Sequence, residues 1–155
     1  MELADILSED SVLAVDRVKD KNELLHLLAD KAASLTGHDS AEIYETLAAR
    51  EALGSTGLGN GIAIPHGKLP GLARVTAAFV RLAEPVEFDA VDDEKVDLVM
   101  LLLAPAGAGA DHLKALARVA RLLRIESLVE SLRATGDPRR LHVLLTAPLP
   151  SQNAA

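Results

Sequence analysis

The chain has no cysteine and no tryptophan. That first absence excludes disulfides, thiolate zinc sites, iron–sulfur clusters and cysteine nucleophiles together. Aromatic side chains are nearly missing as well: Tyr44, Phe79 and Phe88 are the whole complement, too few to stack successive bases of a nucleic acid strand. Positive charge is in deficit, with 16 Lys and Arg against 23 Asp and Glu, a net charge of −7 and a sequence pI of about 5.2. Such a chain is a poor neutraliser of phosphates, so no nucleic acid partner and no anionic membrane surface is expected. The opening MELADILSED has neither a basic n-region nor an apolar h-region, so no secretory signal is read there. The apolar stretch Leu98 to Ala110 is 13 residues long and broken by Pro105, Gly107 and Gly109, short of the roughly 20 that a bilayer span needs. The expectation is a soluble cytoplasmic protein without direct membrane insertion.

What is present is aliphatic. Of 155 residues, 28 are Leu and 26 are Ala, enough for one sizeable core of closely packed helices on another layer. After a short apolar piece at Val12 to Val15, Asp20 and Glu23 make a capping-box-like start for a helix with Leu25, Leu28, Ala32 and Leu35 on one stripe, ended by Gly37. Ser40 is read as the cap of a second helix through Ile43, Leu47 and Arg50. Three segments read as strands: Gly61 to Pro65, Val75 to Leu82 and Val96 to Leu103, the last a continuous apolar run of the kind found in sheets buried on both faces. Helices are expected over Asp111 to Leu123, Ser127 to Ala134 and Pro138 to Thr146. The fold class is therefore α/β, a mixed central sheet with helices on both faces. The tail from 148 to 155 is expected to be flexible.

Between the second helix and the first strand, Gly54, Gly57, Gly59 and Gly61 forbid regular helix. Closely spaced glycines let backbone N–H groups converge on anionic oxygens. A dinucleotide fingerprint needs a strand before the glycines and a helix after them, the reverse of the order here, and Gly67-Lys68-Leu69 lacks the Ser/Thr of a P-loop. His66 follows at the end of the apolar strand. Pro65 fixes the approach of the chain and Gly67 leaves the imidazole unobstructed, a layout for a reactive histidine, which is a competent nucleophile toward phosphorus when neutral. A zinc site at His66 and His112 would need further ligands; there is no HExxH and no cysteine, so neither metal nor cofactor is expected. His26, His38 and His142 read as structural or surface residues.

The block REALGSTGLGNGIAIPHGKL resembles the active-site signature of the mannitol/fructose-type IIA domains of the bacterial phosphoenolpyruvate-dependent phosphotransferase system, and is nearest to the free-standing nitrogen-regulatory branch of that family. The similarity runs on through VEFDAVDDEKVDLVMLLLAP and DHLKALARVARLL, from about Leu3 to about Leu145. The resemblance implies the mannitol-type IIA fold as one domain over 1–147. It implies that His66 accepts a phosphoryl group from the phosphocarrier HPr or its nitrogen-branch paralogue, that His112 supports transfer, and that Arg50 stabilises the phosphoryl group. Two outlets for that group follow from it: regulation of target proteins such as kinases or transporters by the phosphorylation state, or delivery to a sugar-specific IIB domain.

The chemistry agrees with these assignments. A phosphoryl group in flight spreads charge over three oxygens and is stabilised by positioned donors. Arg50 offers a fixed fork of N–H groups and His112 lies near a helix start. Ser55, Thr56, Gly57, Gly59 and Asn60 are the candidates for a phosphate loop, the two hydroxyls serving either as donors or only to shape the turn. Charge is uneven, net −10 over residues 1–100 and net +3 over 101–155, and Lys114, Arg118 and Arg121 share one side of the 111–123 helix as a solvated face or a docking surface.

Overall fold

A computed structural model describes residues 2–148; of the expected flexible tail, everything beyond Pro148 lies outside the described residues. Two 3₁₀ turns, Leu3–Asp5 and Glu9–Ser11, lead into β1 (Val12–Val15). Helix α1 (Lys21–Thr36) starts where the Asp20 carboxylate accepts the Glu23 N–H, satisfying one of the orphan donors of its first turn. Helix α2 (Ser40–Ala52) corrects the expected cap: Asp39, not Ser40, accepts the Glu42 N–H, and the Ser40 hydroxyl turns instead to Asp30 on α1.

The glycine-rich stretch is more regular than its composition suggests. It forms β2 (Gly57–Gly59) and β3 (Ile62–Ala63), an antiparallel pair, and the chain then resumes as β4 (His66–Leu69). The strand read over Gly61 to Pro65 is thus only β3, and a second short strand, β4, lies in line beyond it. Both pair in parallel with β6 (Val96–Pro105): Ile62 lies opposite Leu98, and His66 opposite Leu102. Strand β5 (Thr76–Val86), longer than its apolar core, pairs antiparallel with β6 and parallel with β1. The sheet order is β1-β5-β6-β3-β2, with β4 beside the C-terminal half of β6. Helices α3 (Ala110–Leu122), α4 (Glu126–Arg133) and α5 (Pro138–Thr146) complete the mixed α/β architecture.

Strand alternation divides the core. Leu98, Met100, Leu102 and Ala104 face α3, α4 and α5, while Val99, Leu101 and Leu103 face α1 and α2. Every one of these is buried, which is why the β6 segment reads as an unbroken apolar run. Gly61 closes the β2–β3 turn with φ +79°, and its missing side chain makes room for Arg133. The Arg133 guanidinium holds Asp97 through Nε (2.9 Å) and Nη2 (2.9 Å) and donates to the Asn60 carbonyl, tying α4 to the turn and to β6.

Candidate active site

His66 stands at the point where the in-line strands are interrupted. Ile64 leaves the ladder to β6, its N–H donating to the Thr56 carbonyl. Its own carbonyl is taken by the His66 ring, at 2.8 Å from Nδ1. A carbonyl oxygen only accepts, so Nδ1 carries the proton and Nε2 carries the lone pair. His66 is half-buried on a strand bonded to β6 on one side only, and its ring centroid lies 5.6 Å from that of His112, the planes tilted by 50°.

His112 is the third residue of α3 and is 8% exposed. Burial holds its pKa below the ordinary 6.5, and the charges of His66 and Lys68 push it the same way, so the imidazole is neutral near pH 7. Its Nδ1 is buried with no hydrogen-bond partner among the described residues. An orphaned buried N–H costs more than an under-used acceptor, which favours the tautomer with the proton on Nε2. The ring is then a neutral N–H donor beside His66.

Arg50 arrives from the opposite layer. Gly67 faces α2, where a Cβ on it would stand 2.6 Å from Thr46 Cγ2, while a Cβ on Gly71 would stand 3.5 Å from His38 Cε1. These two contacts orient α2 antiparallel to residues 66–71. Arg50 follows one turn beyond Thr46 on the same helix. Its Nη1 donates to the Gly54 carbonyl at 2.8 Å, leaving the remaining guanidinium donors free of protein partners among the described residues. His112 thus flanks His66 from the α3 layer, while α2, which carries Arg50, packs on β4 from the other layer.

The phosphate-loop candidates divide between the stretch beside Ile64 and the β2–β3 turn. Ser55 Oγ donates to the Phe88 carbonyl (3.1 Å) and accepts the Gly57 N–H (3.0 Å). Thr56 gives its N–H (3.1 Å) and its hydroxyl to the buried Glu51 carboxylate, which also pairs with Lys21 at 3.0 Å. Gly59 and Asn60 sit at the β2–β3 turn, where the Asn60 N–H donates to Asp92 and draws that carboxyl below its usual range. Opposite β6 this turn precedes Leu98 and His66 meets Leu102, a separation of four strand residues or about 13 Å. Gly59 and Asn60 are thus set back from His66, whereas the Thr56 carbonyl takes the Ile64 N–H and lies beside the segment that leads into His66. Two residues near the site were missed as candidates in the sequence. Lys68 shares a face of β4 with His66 by strand alternation, a signal available once β4 is known to be extended. Glu51 is a lone acid whose burial no sequence pattern announced.

A mixed α/β fold with paired histidines at a sheet edge, beside a helix that carries an arginine near its end, defines the class: the chain belongs to the family described as phosphoenolpyruvate-dependent sugar phosphotransferase system, EIIA 2, matched over residues 5–147. Its role is that of a phosphotransfer carrier. More particularly, it is 47% identical over 148 residues to a nitrogen regulatory protein of Bradyrhizobium diazoefficiens, covering 96% of this chain and 97% of that one. The crystal structure of nitrogen regulatory protein IIA-Ntr from Neisseria meningitidis matches with a TM-score of 0.87 and 36% identity, covering 93% of this chain and 99% of that one. The IIA mannitol structure from Escherichia coli shares the fold, with a TM-score of 0.72 at 22% identity over 88% of this chain and 96% of that one. Among the described residues no helix is long and apolar enough to cross a membrane.

Proposed function

We propose that His66 is the phosphoryl acceptor and that its phosphorylation state is a regulatory signal of the nitrogen branch. The observation that carries the first part is the 2.8 Å contact of His66 Nδ1 with the Ile64 carbonyl, which leaves Nε2 unprotonated. In the transfer, the Nε2 lone pair forms a bond to phosphorus as the bond from phosphorus to the donor histidine of phospho-HPr, or of its nitrogen-branch paralogue, breaks. The donor ring keeps the released electron pair. Positive charge grows on the His66 ring during attack, and the Nδ1–H bond to Ile64 strengthens accordingly. Arg50 meets the charge on the phosphoryl oxygens, and neutral His112 donates without setting a second cation against the developing imidazolium. No group outside the chain other than the donor is needed, and the exchange takes place in the cytoplasm.

The regulatory part is supported by nearly full-length similarity to nitrogen regulatory proteins, against a likeness to the mannitol IIA domain that extends to fold alone. A phosphoryl group adds about −1.5 to −2 charges at the rim of the sheet, enough to reverse a contact made there. Incubation with phosphoenolpyruvate, enzyme I and HPr is expected to place one acid-labile, alkali-stable phosphate on the chain and none on His66→Ala. Phosphorylated protein and His66→Ala are expected to capture different partners from extract. Label retained by His66→Ala contradicts the acceptor. Identical partner sets with rapid transfer to a IIB domain contradict the regulatory part and favour the sugar branch.

A further inference from the structure

We infer that Gly67 is a positioning residue for phosphoryl transfer: the absence of its side chain lets Thr46 seat α2 directly on β4, and that seating sets the reach of Arg50 toward His66. The inference rests on His66 being the acceptor. A Cβ at Gly67 would lie 2.6 Å from Thr46 Cγ2, where ordinary contact begins near 3.4 Å, and no other non-neighbouring residue comes as near. Any side chain here opens the two elements by about 0.8 Å or turns Thr46 away. Turning is resisted, because the Thr46 hydroxyl donates to the Glu42 carbonyl at 2.9 Å and a β-branched side chain in a helix has few alternatives at χ1. The displacement therefore passes to α2.

Ile43 and Leu47 are fully buried along α2 and Glu51 near its end is paired with Lys21 and Thr56, so α2 shifts as one rigid helix rather than bending at Thr46. Arg50, one turn beyond Thr46, is carried with it while His66 and its Ile64 partner stay in place. A misplacement of about 1 Å at a positioned group can cost on the order of 10²-fold in rate. Gly67 also has an unremarkable backbone, with no positive φ, so the requirement for glycine here is one of space.

The contact dictates the test. Thr46→Ser removes Cγ2 and leaves the next Thr46 atom, Cβ, at 3.9 Å, an ordinary distance. Transfer from phospho-HPr is measured for Gly67→Ala with and without Thr46→Ser, and each with and without Arg50→Ala, after a melt shows each variant folded. Gly67→Ala is expected to slow transfer about tenfold or more relative to wild type. In the Thr46→Ser background the same alanine is expected to cost less than about twofold. Arg50→Ala is expected to add little once Gly67→Ala is present. A wild-type rate for Gly67→Ala, an equal loss in both backgrounds, or an undiminished Arg50→Ala effect overturns the inference. Thr46→Leu thickens the contact from the helix side with the glycine retained and covers the case in which Gly67→Ala is too unstable to assay: a similar slowing is expected, and a wild-type rate overturns the inference. Failure of wild type to take label on His66 overturns the acceptor assignment instead, so the two failures are distinct.

Discussion

A single carbonyl decides the chemistry of His66. By accepting from Nδ1, Ile64 fixes the tautomer before a donor arrives, and the interruption of the ladder at Ile64–Pro65 is what frees that carbonyl. His112 is tuned differently, by burial first and by the neighbouring His66 and Lys68 charges second, all acting against protonation. Its pKa lies lower in the folded chain than in the unfolded one, so on acidification the unfolded chain takes up the proton first. Its contribution to stability is therefore complete above about pH 6.5 and is lost as the pH falls from there toward the lowered folded value. Urea unfolding at a series of pH values from about 7.5 to 5 is expected to show a shallower acid loss of stability in His112→Gln than in wild type. Equal slopes would mean that His112 titrates as an ordinary histidine.

At the level of elements, the loop that carries His66 is held by a buried acid. Glu51, in the last turn of α2, binds Lys21 at the start of α1 and both donors of Thr56, and the Lys21 ammonium also lies 4.4 Å from the centre of the Phe88 ring. Glu51→Ala strands that ammonium and the Thr56 N–H; chemical denaturation is expected to show a loss of roughly 3–5 kcal/mol, the range for a buried pair broken on one side. A loss below about 0.5 kcal/mol would assign the clamp to the surface class. The helices were legible because caps and apolar stripes are local: Asp20 and Gly37 bound α1, and Asp137 with Pro138 opens α5. The strand read over Gly61 to Pro65 covers β3, but β2 and β4 were not legible, since three or four residues carry no periodicity and are defined by the strands they pair with. His66, His112 and Arg50 could be named from the sequence through a long family signature. The glycine spacing suits an anion loop and a tight hairpin equally well, and the side-chain bonds of Ser55, Thr56 and Asp92 show that this stretch is a braced hairpin.

Across the whole molecule, the sheet separates helices of opposite balance. The acidic N-terminal part supplies α1 and α2, and residues 101–155, net +3, supply α3, α4 and α5 on the other face. His66 lies on the edge between the two layers, beside His112, so a phosphoryl group carried there, as proposed, would change the field seen by partners approaching over both. Everything in this account depends on which atom carries that group. The most direct measurement is nitrogen-resolved NMR of the histidine rings after phosphorylation by phosphoenolpyruvate, enzyme I and HPr. A one-bond phosphorus coupling at Nε2 of His66, with Nδ1 still protonated, is the expected result; coupling at Nδ1, or on any other histidine, contradicts it.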